Sequence, residues 1–286
     1  MTMRRHVIAG LGAAIAASVL PQQSLAAPLA KVKELGVLRV GVYKDNRPWS
    51  WDDKGTLRGI DVDLAKAMAD ALSVKLDIVE FMAGEDLSDD LRNVVWRGGL
   101  LGFKPCDVMM HVPFDRKLQI DNDQVVLLAP YYREGFAAVC GNEQADCEVP
   151  PAQFKGKRLA AELASIPDMY LMGSFGGVLR SDVHHYDTGY EAVASVGTGQ
   201  SDVAVATRAQ VEAALHDMAN PAVKRRKGPL QAIMSPGWDI GIAVKDNSRT
   251  LGDALDTIVT KLIADGRMAR IFAAHGVSWH AALAAS

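Results

Sequence analysis

Cysteine, net charge and long apolar runs are all scarce in this chain of 286 residues. Its three cysteines are too few to build a disulfide scaffold. A formal net charge of −3 provides no general attraction to nucleic acid. The only long apolar run lies at the N-terminus, so we expect no membrane insertion of the remainder. The hydrophobic content of 49% excludes a disordered chain and leaves one large or two modest domains.

Residues 1–26 have the pattern of an export signal. Arg4 and Arg5 precede an apolar run over 7–20 that is too short to span a bilayer, and small residues surround Ala26. A buried N-terminal helix is the alternative, which the glycines and the proline in this stretch disfavour. The two arginines form a partial twin-arginine pattern, so Sec and Tat export both stay open. We expect a periplasmic protein, cleaved near Ala26.

The cysteines are consistent with an oxidising compartment. Cys140 and Cys147 bracket polar, turn-forming residues, and we predict a disulfide between them. Closing so short a loop contributes roughly 2.5 kcal/mol in the chain-entropy description. Cys106 is left over, and we interpret it as a small buried apolar residue, although a reactive thiol is the alternative.

Strand and helix patterns alternate along the chain. Period-2 or apolar strand patterns cover 38–42, 76–81 and 107–112, and helical patterns cover 59–72 and 87–96. Such a βαβαβ run predicts a parallel sheet covered by helices. A second run has strands over 136–139, 158–161 and 202–206, with helices over 167–172 and 209–218. A strand over 240–244 and an amphipathic helix over 251–263 follow, and the basic run 224–227 is predicted to be a solvated loop.

Several blocks, in order, resemble the bacterial extracellular solute-binding proteins of family 3, the polar amino acid binders of ABC importers. The resemblance rests on these blocks: Lys33 to Val42, Arg47-Pro48-Trp49-Ser50-Trp51, Gly59 to Leu72, Ala129-Pro130-Tyr131-Tyr132 and Ala264 to Phe272. It implies an α/β fold of the type II-like periplasmic binding protein class, with two α/β lobes joined by a two-strand hinge.

The resemblance also implies domain boundaries. Lobe 1 would comprise 27–130 and 238–286, and lobe 2 would comprise 131–237. The hinge crossings would fall near 130–134 and 228–238. Two lobes on such a hinge open, admit a solute and close around it.

Ligand-binding residues are implied by the family pattern. Trp49 and Trp51 lie in the loop that supplies an aromatic platform, and Ser165 lies where the family offers hydroxyls and helix-start amides to a carboxylate. Arg116 falls at the family's carboxylate-binding arginine, although Pro113 replaces the hydroxyl residue of that turn and Asp115 is a competing partner. A surface or salt-bridged arginine is the alternative for Arg116.

Two further positions depart from the amino acid binders. Thr207 stands where the family places the aspartate that pairs with the ligand's ammonium group. Without a carboxylate, a desolvated ammonium would lack its partner, so we expect no free α-amino acid as ligand. His111 replaces a small residue at the end of the third strand; it either faces the cleft or packs in the core.

One branch of the family fits these departures. The stretch Cys106 to Pro113, with its Val112-Pro113 step, and Pro130 to Arg133 resemble the quinoprotein-associated branch (the MxaJ/XoxJ type of methanol oxidation). The resemblance implies a non-catalytic monomer that serves a periplasmic PQQ-dependent alcohol dehydrogenase or a cytochrome c. The cleft would bind an unknown ligand or a partner segment.

Two alternatives stay open. The first is the substrate-binding subunit of an ABC importer, with a permease as partner, for a polar amino acid-like solute or a small organic anion. The second is a periplasmic dehydratase-like enzyme, for which Glu162 is the candidate general acid. We expect no cofactor and no metal, because zinc-type cysteine spacing is missing and the adjacent His184 and His185 would face opposite ways on a strand.

Overall fold

The computed structural model describes residues 29–141, 146–220 and 222–285. The predicted export signal therefore lies outside the described residues. From the N-terminus to the first crossing the elements are α1 (Leu29–Leu35), β1 (Val37–Tyr43), β2 (Trp51–Asp53), β3 (Thr56–Arg58), α2 (Ile60–Leu72), β4 (Lys75–Phe81), α3 (Leu87–Leu91), β5 (Val108–Pro113), α4 (Arg116–Asp121) and β6 (Val125–Glu134).

The chain then builds a second set of elements and returns to the first. The second set is β7 (Phe136–Cys140), β8 (Leu159–Glu162), α5 (Ile166–Gly173), β9 (Val183–Tyr186), α6 (Gly189–Gly197), β10 (Val203–Thr207), α7 (Arg208–Met218) and β11 (Lys224–Arg225). The returning elements are β12 (Trp238–Lys245), α8 (Arg249–Ala264) and α9 (Arg267–Ala273).

Two five-stranded sheets carry these elements. The first has the order β4-β1-β5-β12-β6 and the second has the order β11-β7-β10-β8-β9. Pairs made within βαβ units are parallel, namely β1 with β4 and β5, and β8 with β9 and β10. The parallel sheets predicted from the sequence are in fact mixed, because β12 pairs antiparallel with β5 and β6, and β7 pairs antiparallel with β10. The result is the predicted α/β fold of two lobes.

Helix α2 shows why the sequence pattern was readable. Leu64, Ala65, Met68 and Leu72 are buried on one face, and the αL conformation of Ser73 ends the helix. The predicted helix over 87–96 is only partly α-helical. It changes at Arg92 into a π-helical turn, in which the amide of Arg97 donates to the Arg92 carbonyl at 2.9 Å.

The chain crosses between the sheets twice, and the two crossings are adjacent. Strand β6 ends at Glu134, Gly135 follows, and Glu134 pairs with Trp238 at the start of β12. Gly237 has a φ of +121°, and a Cβ there would lie 2.1 Å from the Glu134 carbonyl oxygen. Only glycine allows so close an approach of the two crossing strands.

Lobe 2 contains the predicted disulfide, between Cys140 and Cys147. The basic run 224–227 lies next to it. The solvated-loop prediction is wrong for Arg226, which is 7% exposed. Its guanidinium donates to the carbonyls of Cys147 and Val149, so it holds the disulfide loop against the sheet. Lys224 and Arg225 form a short edge strand, β11, that pairs with β7. The third cysteine, Cys106, is buried and forms no disulfide.

Candidate functional site

A cleft of about 220 Å³ lies between the lobes, beside the crossing strands. Both lobes contribute to its wall. The residues that line it are Asn46, Trp49, His111, Glu134, Phe136, Glu162, Ser165, Ile166, Pro167, Thr207, Gln210 and Trp238.

Trp49 and His111 form the lobe 1 wall. The rings of Trp49 and His111 lie 4.4 Å apart, and Trp49 also packs on Tyr132 at 5.3 Å and on Phe272 at 5.8 Å. His111 has a φ of +62°, a left-handed conformation that costs a residue with a Cβ roughly 1–2 kcal/mol. Strain of this kind concentrates at binding and catalytic sites.

The buried carboxylate of Asp61 lies next to the His111 ring. Asp61, in the first turn of α2, is fully buried and accepts a hydrogen bond from the Tyr131 hydroxyl at 2.7 Å. Its other oxygen lies 3.4 Å from Nδ1 of His111. Burial, together with the negative charge of Asp61, raises the pKa of Tyr131. The tyrosine therefore stays a donor, whereas Asp61 Oδ2 and His111 Nδ1 are close but make no hydrogen bond with each other.

Glu134 occupies the floor of the cleft, at the first crossing. It is 1% exposed, and its Oε1 accepts from the backbone amides of Gly135 at 2.8 Å and of Ala209 at 3.4 Å. The second oxygen, Oε2, is buried without a hydrogen-bond partner among the described residues. Burial raises the pKa of Glu134 to about 7, against the opposing effects of these amides and of Arg208 and His111.

The lobe 2 wall is built from two strand-to-helix turns. Thr207 ends β10 and caps α7 through a reciprocal capping box with Gln210. Glu162 ends β8, and its Oε2 accepts from the amide of Gly189 at 2.8 Å and from Gln210 Nε2 at 3.2 Å. These bonds hold the Glu162 carboxylate at the cleft wall.

Ser165 belongs to the second of these turns. It is the N-cap of α5, and its hydroxyl accepts from the Asp168 amide at 3.2 Å and donates to the Glu162 carbonyl at 2.6 Å. The Asp168 carboxylate in turn accepts from the Ala164 amide and lies 3.0 Å from His185 Nε2. The first turn of α5 thus carries its own carboxylate.

The predicted ligand residues are only partly brought together. Trp49, His111, Ser165 and Thr207 line the cleft. Trp51 and Arg116 do not.

Each of these two side chains lies elsewhere for a local reason. Trp51 begins a hairpin, and the Arg47 guanidinium lies 4.8 Å from its ring. Pro113 extends β5 and Asp115 caps α4 through the Leu118 amide at 2.8 Å, so Arg116 falls in an exposed first helical turn.

The sequence reasoning anticipated Trp49 and Glu162 but missed one acidic and two aromatic residues of the cleft. Thr207 lines the cleft at the position of the family's aspartate, but Glu134 and Glu162 supply carboxylates elsewhere on its wall. Phe136 and Trp238, whose rings are 5.3 Å apart, were not predicted either. The available signal for Glu134 was local, because Arg133-Glu134-Gly135 is the polar interruption between the apolar runs of β6 and β7.

A bridge at the cleft mouth joins the lobes. Arg47 of lobe 1 donates to Oδ2 of Asp217 on α7 at 2.8 Å, and the Tyr190 hydroxyl donates to the same oxygen at 2.8 Å. The guanidinium also lies 4.4 Å from the Tyr190 ring. We call Arg47, Trp51, Tyr190 and Asp217 the Arg47 bridge, because these residues connect the two lobes directly.

Two further properties concern the described part of the chain as a whole. Within it, no helix has both the length and the apolar character to cross a membrane. Likewise, residues 29–141, 146–220 and 222–285 contain no group of three or more histidine, cysteine or acidic side chains placed to hold a metal ion.

Comparison with known proteins agrees with this architecture. Residues 38–94 match the family model of the bacterial extracellular solute-binding proteins, family 3. No curated protein matches the sequence.

Three solved structures share the fold over most of both chains. An ancestral cationic amino acid solute-binding protein (AncCDT-1) has a TM-score of 0.68 and 20% identity, covering 87% of this chain and 99% of its own. An amino acid ABC transporter substrate-binding protein from Streptococcus pneumoniae, bound to L-arginine, has a TM-score of 0.62 and 19% identity, with coverage of 87% and 97%. Holo ArgBP from T. maritima has a TM-score of 0.55 and 25% identity, with coverage of 82% and 93%. The chain is therefore similar in fold to family 3 solute-binding proteins, although the family model itself covers only one segment.

Proposed function

We propose that this protein is the exported substrate-binding subunit of an ABC importer and that a small solute binds in the cleft. The observation that carries the proposal is the cleft itself. Residues of both lobes line it, and it lies beside the two adjacent crossing strands. Ligand sites in proteins of this size occur preferentially at such junctions. The match of residues 38–94 and the shared fold support the same role.

The geometry supports a closing mechanism. A solute held by Trp49 and His111 of lobe 1 and by Glu162, Ser165 and Thr207 of lobe 2 contacts both walls only when the lobes are closed. The solute stabilises closure by the free energy of those additional contacts. A membrane permease then distinguishes the loaded, closed form from the open one. Trp51 and Arg116, which lie off the cleft, have no part in this contact.

Periplasmic export is part of the proposal. The pattern of residues 1–26 and the extracellular character of the matching family both favour it. The disulfide between Cys140 and Cys147 is consistent with an oxidising compartment.

The association with a quinoprotein dehydrogenase remains a prediction from the resemblance of 106–113 and 130–133 to that branch. In the fold, Val112 and Pro113 end β5 and pair with Gly241 and Ile240 of β12. Pairing within the sheet places no requirement on the ligand. The importer role receives more support from the comparisons.

A catalytic role is the second candidate, and one observation favours it. Burial raises the pKa of Glu134 to about 7, so the carboxyl is partly protonated at neutral pH, as a general acid requires. Another structure of the same fold is described as an ancestral amino acid-binding protein and a precursor of cyclohexadienyl dehydratase. Conversion of a bound solute, followed by mass spectrometry, separates catalysis from binding.

The binding role is tested by titrating the purified protein with amino acids, amines, dicarboxylates and sugars. Trp49 and Trp238 line the cleft, so closure changes their fluorescence, and X-ray scattering reports a smaller radius of gyration. Ser165→Trp fills the cleft and abolishes the response, whereas Ser181→Trp, at an exposed site in the same lobe, retains it. A panel in which no solute changes fluorescence or radius contradicts the proposal.

A further inference from the structure

The charged side chains that line the cleft are of one sign. Glu134 and Glu162 supply carboxylates, His111 is the only potential cation, and no lysine or arginine lines the cleft in the part of the chain that the structure describes. We infer that the cleft binds a small organic amine, as its ammonium ion, that carries no carboxylate. This inference rests on the proposed binding function and defines its ligand class.

Glu134 has a buried carboxylate oxygen that lacks a hydrogen-bond partner among the described residues. Its carboxylate is 1% exposed, and Oε1 is fully engaged by the amides of Gly135 and Ala209. Oε2 has no partner among the described residues, although the side chain lines the cleft. A buried acceptor left unpaired is costly, and an N–H donor with a positive charge removes that cost most effectively.

The two helix starts at the cleft, those of α5 and α7, already have carboxylates of the protein beside them. In α7, the amides of Arg208, Ala209 and Gln210 are engaged by the Gly135 carbonyl, the Glu134 carboxylate and the Thr207 hydroxyl, respectively. In α5, the Asp168 carboxylate already lies in the first turn. Helix N-termini attract anions, but here the protein's own carboxylates already occupy that role.

Aromatic rings complete an environment suited to a cation. Trp49, Phe136 and Trp238 line the same cleft, and their faces attract ammonium groups electrostatically. Their apolar surface also accommodates a short alkyl chain. A carboxylate on the ligand would instead face two like charges.

The nearest arginine does not supply the missing partner for a ligand carboxylate. Arg208 does not line the cleft; its guanidinium donates to the Arg133 carbonyl and lies 5.6 Å from the Tyr132 ring. Arg116 lies on the exposed start of α4. An α-amino acid therefore finds an ammonium partner here but no cation for its carboxylate.

Matched ligand pairs that differ by one carboxylate test the inference on the wild-type protein. The amines n-butylamine, putrescine and agmatine are compared with norvaline, ornithine and arginine by isothermal titration calorimetry at pH 8. We expect at least one amine to bind tenfold or more tightly than its amino acid counterpart. An amino acid that binds as tightly as its amine overturns the inference, and so does the failure of all three amines to bind.

Variants locate the amine. Glu134→Gln keeps the shape and the acceptor but removes the charge, and it should weaken amine binding at least tenfold. Glu162→Gln serves as the second cleft variant, and Asp123→Asn, at an exposed site before β6, as the control with unchanged affinity. Equal affinity of both cleft variants and wild type overturns the inference. If sugars or dicarboxylates bind while amines do not, the ligand class is wrong and the proposed binding function stands; if no class binds, both fall.

Discussion

Arg47 of lobe 1 and Asp217 of lobe 2 form an ion pair across the cleft mouth, with Nη2 and Oδ2 2.8 Å apart. The guanidinium lies between the rings of Trp51 and Tyr190, one from each lobe, at 4.8 Å and 4.4 Å. An exposed ion pair alone contributes little, but the two cation–π contacts add to it. The lobes are therefore held together in this structure by contacts that do not depend on a solute.

Arg47→Ala is expected to shift the ligand-free protein towards the open form. Loss of the pair and of the ring contacts removes about 1 kcal/mol, or roughly a fivefold change in the closed-to-open ratio. The radius of gyration from X-ray scattering should rise in the variant. Arg267→Ala is the control, because Arg267 pairs with Asp265 within one lobe. Equal radii for Arg47→Ala and this control would contradict the role of the Arg47 bridge.

Loss of the Cys140–Cys147 disulfide is expected to destabilise lobe 2. The loop is short, so the chain-entropy contribution is about 2.5 kcal/mol. The double variant Cys140→Ala, Cys147→Ala should lose this amount in urea denaturation, and reductant should have no further effect on it. Cys106→Ala, which removes the free buried cysteine, should remain sensitive to reductant. Wild-type stability that is unchanged by full reduction would oppose this prediction.

Arg226 and Arg225 are neighbours in sequence, but their expected contributions to stability differ in size. Arg226 is buried and donates to three carbonyls, those of Cys147, Val149 and Pro229. Arg226→Ala leaves these acceptors unpaired and should lower the free energy of unfolding by about 3 kcal/mol. Arg225→Ala removes an ion pair with Glu212 at a partly exposed site and should cost less than about 1 kcal/mol. Comparable losses in urea denaturation would mean that Arg226 is not the anchor of the loop.

Glu134 should make stability decline as pH rises. Its pKa is raised by burial to about 7 in the folded state, above the value near 4.5 of an unperturbed glutamate. The unfolded chain therefore releases its proton first, and the stability present below pH 4.5 is lost progressively up to pH 7, by up to about 3 kcal/mol.

The measurement is the free energy of unfolding of wild type and Glu134→Gln between pH 4.5 and 8. Arg208 and His111 lie beside this side chain in both proteins, so the difference reports the charge of Glu134 and its interaction with these two residues. The free energy of unfolding of Glu134→Gln should increase relative to that of the wild type as pH rises, and the difference should become constant above pH 7. Asp123→Asn should run parallel to the wild type. A constant difference between Glu134→Gln and wild type would show that the buried carboxyl does not titrate in this range.

The elements were largely predictable from local periodicity. Leu64, Met68 and Leu72 define one buried face of α2. This spacing is visible in the sequence whatever the helix packs against. The same holds for β1, whose apolar residues alternate. The mixed pairing of the sheets was not predictable in this way, because it depends on where the returning strand β12 inserts between β5 and β6.

The cleft was predictable only in part, for a physical reason. Thr207 and Ser165 cap helices that follow strands, and the family resemblance implied both positions. Glu134 and Trp238 are far apart in the chain and meet because the two crossings are paired. Arg226 is basic and surrounded by basic residues, so composition suggests solvent, whereas three carbonyls determine its burial.

The most direct test of the account is a calorimetric titration with agmatine at pH 6 and at pH 8. The cation requires ionised Glu134, whose pKa is raised to about 7, so binding should be about tenfold tighter at pH 8. Arg208 and His111 face the same group, and Glu162 lies on the opposite wall, so Glu134→Gln serves as the reference and should show no such dependence. One site per chain with this pH dependence is the predicted result; no binding, or equal affinity at the two pH values, would contradict it.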